Sequence, residues 1–178
     1  TDIALDLIKS LQSSPDQLNV AGEDGRTPLH LAISRENIQV ALKLISILPS
    51  DMLNTEDDFG DAPLHLAIKN GQINVAMKLI EVSPDQLNIL NNYGNKLLHL
   101  AIKKKQTDIA MKLIENLQSS PDQLNVKDKN GNMPLYLAIN KKQTDIAMKL
   151  IECLKVSPDQ LNVKDKGGGT PLHCAIEN

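Results

Sequence analysis

Four histidines, His30, His65, His99 and His173, carry the most open chemistry in this chain of 178 residues. Imidazole is a common metal ligand and a general base near neutral pH. A zinc site, however, draws on ligands a few residues apart, and no His-x-x-x-His, Cys-x-x-Cys or His-Glu-x-x-His pattern is present. The histidines instead recur at long steps of 35, 34, 37 and 37 residues, counting from His30 through His65, His99 and Tyr136 to His173. No metal and no cofactor is expected. The carboxylates Asp57, Asp58 and Asp61 crowd one short stretch, where charge reads as ordinary solvation of a turn tip. No Gly-x-Ser-x-Gly elbow or Gly-x-x-x-x-Gly-Lys loop occurs. Gly167-Gly168-Gly169 imitates a phosphate loop, but Thr170-Pro171-Leu172-His173 follows it directly, so a turn is the better reading. Cys153 and Cys174 make no disulfide framework and read as small buried hydrophobes in a reducing compartment. Catalysis within this span is not expected.

The histidines belong to a returning heptapeptide. Thr27-Pro28-Leu29-His30-Leu31-Ala32-Ile33 comes back as Ala62 to Ile68, Lys96 to Ile102, Met133 to Ile139 and Thr170 to Ile176. A fixed period in this range marks a stacked repeat array. The motif resembles the Thr-Pro-Leu-His-x-Ala signature of ankyrin repeats, whose period is about 33 residues. That resemblance implies an all-α solenoid of helix-turn-helix repeats with hairpin or loop tips. The chain then reads as a single domain over 1–178: a partial repeat at 1–24, repeats at 25–59, 60–93, 94–130 and 131–167, and a partial repeat at 168–178. Lys96-Leu97, Met133 and Tyr136 depart from the signature.

Each unit opens at a turn glycine, and in Thr27-Pro28 the threonine is placed to cap the first helix while proline pre-sets φ at its first position. Leu29, Ala32 and Ile33 fall on one face of that helix. After a polar corner, the second helix repeats one pattern, as in Val40, Ala41, Leu44, Ile45 and Leu48. So wide a stripe needs neighbouring repeats to cover it. Beyond the second helix the family's short connection is replaced by Ser-Pro-Asp-Gln-Leu-Asn at Ser14, Ser83, Ser120 and Ser157, with a degenerate copy at Pro49 to Asn54. Serine followed by glutamine three residues on predicts a capping box and an extra helical turn, each serine cap contributing about 0.5–2 kcal/mol. Leu18, Leu53, Leu87, Leu124 and Leu161 are expected to plug these turns onto the core, and the insertions account for the long period.

Thr1 to Ile8 reads as a second helix without its first, and Thr170 to Asn178 as a first helix without its second, so the span is expected to be cut from a longer array. No apolar run approaches the roughly 18 residues that a membrane span requires, and no leader is read. The net charge of −3 hides an asymmetry: residues 1–89 carry 6 Lys+Arg against 13 Asp+Glu, and residues 90–178 carry 13 against 9.

The resemblance implies a non-catalytic scaffold that holds a partner protein on the concave face made by tips and first helices, as a cytoplasmic monomer without nucleic acid or membrane. Carried onto this chain, the candidate contacts are Asp58, Phe59, Asp61, Asn92, Tyr93, Asn95 and Lys129 at the tips, and Arg35, Lys69, Lys103, Lys104 and Lys141 at the first helices and their corners. Phe59 and Tyr93 each precede a turn glycine and read either as binding anchors or as a pair that stiffens the tips. Lys103-Lys104-Lys105 with Lys141-Lys142 reads as a solvated ridge or a contact for an acidic protein segment. The alternative function is a targeting or spacer array of a larger protein, such as a secreted effector enzyme of an intracellular bacterium acting in the host cytosol.

Overall fold

Pro28 starts the first of the repeated helices, and a left-handed residue stops it. A computed structural model describes residues 2–84, 87–92 and 94–178. That helix, α3 (Pro28–Ser34), is closed by Glu36 at φ 55°. There the N–H of Glu36 reaches Ile33 O at 3.1 Å and the N–H of Asn37 reaches Ala32 O at 2.8 Å, the paired bonds of a Schellman end. Gly71, Lys105 and Lys142 hold the same left-handed place after the later first helices, at φ 71°, 57° and 57°. Only Gly71 adopts it without steric cost.

The chain packs as two compact units, Thr1–Asn92 and Tyr93–Asn178. The first holds α1 (Asp2–Leu11), α2 (Pro15–Leu18), α3 (Pro28–Ser34), α4 (Ile38–Ile45), α5 (Pro63–Lys69) and α6 (Ile73–Val82), with 3-10 turns at Glu23–Gly25 and Met52–Asn54. There α3 pairs with α4 and α5 with α6, while α3 lies on α5, α4 on α6 and α1 on α4. The second holds α7 (Leu97–Lys103), α8 (Thr107–Leu117), α9 (Pro121–Leu124), α10 (Pro134–Asn140), α11 (Thr144–Leu154), α12 (Pro158–Leu161) and α13 (Pro171–Glu177). Here α7 pairs with α8 and α10 with α11, and α10 packs on both α7 and α13. This is an all-α array of paired helices, and the tips are loops with no strand among the described residues.

The core is the stripe that the sequence pattern marks. Leu29, Ile33, Leu44, Ile68, Leu79, Ile102, Ile109 and Leu113 are almost fully buried. A Leu44→Ala cavity in such a layer would cost about 2–5 kcal/mol. Between layers, glutamines at the start of second helices stitch the ends of earlier first helices: Gln72 Nε2 donates to Ile33 O at 2.7 Å, and Gln143 Nε2 to Ile102 O at 2.8 Å. Among the described residues no helix is long and apolar enough to cross a membrane.

The expected extra turns form as α2, α9 and α12, but not by the expected means. Ser14, Ser120 and Ser157 make no side-chain cap bond. Each serine instead offers its carbonyl to the glutamine N–H three residues on, at 3.0, 2.9 and 2.9 Å, so proline and a backbone turn suffice without the hydroxyl. The copy beginning at Ser83 runs through residues 85 and 86, outside the described residues. Leu18, Leu53, Leu87 and Leu124 plug their turns, whereas Leu161 stays partly exposed. Cys174 is buried as expected; Cys153 is only partly covered.

Candidate functional site

Three of the turn tips are built around a carboxylate that accepts the turn's own amides. Asp57 Oδ1 accepts the N–H groups of Phe59 at 3.0 Å and Asp61 at 2.9 Å, and the side chain is buried. Asp128 Oδ1 accepts from Asn130 and Asn132 at 2.9 Å each, and Asp165 Oδ1 accepts from Gly169 at 2.8 Å. Reading Asp57 as a solvated tip charge is therefore corrected: it organises the turn and leaves solvent to its neighbours. The Asp-x-x-Gly spacing was the available signal, since glycine must follow at positive φ. At Gly60, φ 69°, an added Cβ would also stand 2.7 Å from the N of Asn92 in the next tip.

For Asp128, burial pushes the carboxyl pKa up, but the hydrogen bonds from Lys103 and Asn132 outweigh it and hold the group below the usual carboxylate range. Lys103 Nζ bridges Asp128 Oδ2 at 2.8 Å and Asn95 Oδ1 at 2.7 Å. The first unit repeats the device, with Lys69 bonded to Asp61 Oδ2 and Asn91 Nδ2 on Asp61 Oδ1 at 3.0 Å.

His30 and His99 each join one tip to the next. His30 Nδ1 faces the N–H of Thr27 at 3.2 Å and its hydroxyl at 2.8 Å, while Nε2 faces Asp61 O at 2.9 Å. An N–H only donates and a carbonyl only accepts, so this environment selects the neutral ring with its proton on Nε2. His99 Nε2 likewise donates to Asn132 O at 3.1 Å. Burial lowers the pKa of His30 and His99 more than these carbonyls raise it. Both rings are therefore structural struts, His30 through its two nitrogens and His99 through Nε2.

The twelve candidate contacts divide accordingly. Asp61 is 3% exposed, and Lys69, Lys103 and Asn95 are bonded into the tip framework, so these four serve the turns as well as any surface. Phe59 projects, 43% exposed, with the Arg26 guanidinium 5.7 Å from its ring centroid. Arg26 also stands 3.6 Å from Asp57 Oδ2. Sequence reading missed this Arg26–Phe59 stack, because its residues lie on successive tips 33 positions apart. Tyr93 lies outside the described residues. Asp58, Asn92, Arg35, Lys104 and Lys129 are exposed and Lys141 is partly so. Asn92 Nδ2 donates to Asp58 O at 3.2 Å, which ties two tips of the first unit.

Paired short helices, a left-handed corner and a glycine tip braced by histidine define a helical-repeat array. The ankyrin repeat model, three copies long, matches residues 3–86, 41–123 and 111–178, and the chain belongs to the ankyrin repeat family. Two solved structures share the fold. The ankyrin repeat protein EF0377 is 23% identical over 96% of this chain and 84% of its own, with a TM-score of 0.73. An ankyrin repeat domain, ABAYE2397, from Acinetobacter baumannii AYE is 24% identical over 99% of this chain and 87% of its own, with a TM-score of 0.77. No curated protein matches the chain. Ankyrin repeat domains are typically protein-binding modules and generally non-catalytic.

Proposed function

We propose that the chain is a non-catalytic module that holds a partner protein on its turn tips and first helices, with each repeat counted from one turn glycine to the next. The observation that carries this is Phe59: an aromatic ring held outward on a turn whose amides are fixed by Asp57. A large side chain on a pre-ordered support loses little entropy on binding, and aromatic residues dominate binding hot spots. The Arg26 cation beside it suits a partner that offers an apolar surface with a carboxylate at its edge. The groups that would otherwise suggest catalysis are engaged in structural bonds, His30 and His99 with carbonyls, Asp57 and Asp128 with amides. Two thiols without a disulfide agree with a reducing cytoplasm.

The test is affinity capture from a cytosolic lysate with the natural chain and with Phe59→Ala, both checked by circular dichroism. A protein held by the first and lost by the folded variant supports the reading. Equal capture removes Phe59 from the binding surface, and capture of nothing favours a spacer.

A further inference from the structure

We propose that the second unit uses the lysines of its turn tips to bind an extended, Asp/Glu-rich segment of a partner protein, an inference that rests on the protein-binding reading above. Lys127-Asp128-Lys129 and Lys164-Asp165-Lys166 place the same tripeptide in successive tips. By composition each carries one net positive charge, but the structure separates the signs. Asp128 turns inward to the Asn130 and Asn132 amides and to Lys103, and Asp165 turns to the Gly169 amide. All four flanking lysines are exposed, and among the described residues none has an ion-pair partner.

Three other carboxylates of this unit are engaged away from the tips. Glu115 and Glu152 pair with Lys112 and Lys149 on the second helices, and Asp122 accepts from Gln160 Nε2 at 3.1 Å in the added turns. Nor are the lysines scattered. A Cβ added to Gly131 would lie 2.9 Å from Lys166 Cβ and 3.3 Å from its N, so the tips touch at the backbone. Four ammonium groups therefore stand as two adjacent pairs on braced turns. An extended peptide projects alternate side chains to one side about every 6–7 Å, a spacing that lets carboxylates meet successive lysines.

Nucleic acid would want aromatic faces between the cations for its bases. The residues beside these lysines are Val126, Val163, Asn130 and Gly167. Such a surface would govern encounter and orientation more than final affinity, and would act most strongly at low salt.

A short fluorescein-labelled peptide alternating Glu and Ser, followed by anisotropy, tests this directly. The natural chain should bind it at low salt and release it as salt rises. Lys129→Glu with Lys166→Glu should weaken binding by about tenfold or more, whereas Lys112→Glu with Lys149→Glu, the same charge change on the second helices, should leave it within about twofold. Circular dichroism confirms that both variants are folded. Equal loss in the two variants, or no binding by the natural chain at low salt, overturns the proposal. Tighter binding of a single-stranded oligonucleotide of equal charge would assign the tips to nucleic acid instead. If the peptide fails while lysate capture still depends on Phe59, the acidic segment is wrong and the protein-binding reading stands.

Discussion

His30 reaches from its own helix to the next turn, where its Nε2 stands 2.9 Å from the carbonyl oxygen of Asp61, 31 residues further on. The bond requires a ring proton on Nε2, while the Thr27 N–H requires a lone pair on Nδ1. A second proton, on Nδ1, would therefore cost the bond from the Thr27 N–H and put a charge on a buried ring, while the Nε2 bond to Asp61 would persist.

Acid should loosen the fold before it titrates the carboxylates. His30 and His99 have pKa values lowered by burial, so below about pH 6.5 the unfolded chain binds protons that the folded one refuses. Their contribution is complete above that pH and is lost as pH falls through it. Urea midpoints should drop between about pH 7.5 and pH 5.5, and His99→Gln should flatten the dependence. A midpoint that stays constant would contradict the neutral-strut account.

Gly60→Ala should destabilise by at least about 1 kcal/mol, because φ is 69° and the new Cβ would meet the Asn92 amide. Lys105→Gly should act the other way, relieving a left-handed lysine by up to about 1 kcal/mol. Denaturant midpoints for the two variants should move in opposite directions.

Asp57→Ala would orphan the amides of Phe59 and Asp61 at a cost of about 1–3 kcal/mol for each one left without water. Asp57→Asn retains an oxygen acceptor and should recover much of the loss. Thermal unfolding of the pair distinguishes a turn-forming role from simple solvation, which predicts no change in either.

Ser120→Ala and Ser157→Ala should each shift stability by less than about 0.5 kcal/mol, since neither hydroxyl caps its turn. A loss near the usual cap value of about 1 kcal/mol would restore the capping box.

The helices were legible because periodicity fixes burial: Leu29, Ala32 and Ile33 had to share a face, as did Val40, Ala41, Leu44 and Ile45. The added turns were legible from proline, while their mechanism was not, because a serine–glutamine pair is equally compatible with a backbone turn. The surface was harder. Asp57, Asp58 and Asp61 look alike in sequence, yet Asp57 and Asp61 point inward and Asp58 outward. That distinction depends on where the next tip lies, as does the seating of Arg26 over Phe59. Lys103 is similar, one of three consecutive lysines and the one drawn in by Asp128.

The central claim is that a partner protein seats on the turn tips, and hydrogen–deuterium exchange of the chain with and without the captured partner tests it most directly. The account predicts new amide protection over residues 56–61 and along α3 and α5, with the outer face of α6 around Lys78 and Glu81 unchanged. Protection confined to that outer face, with the tips exchanging as before, would contradict it.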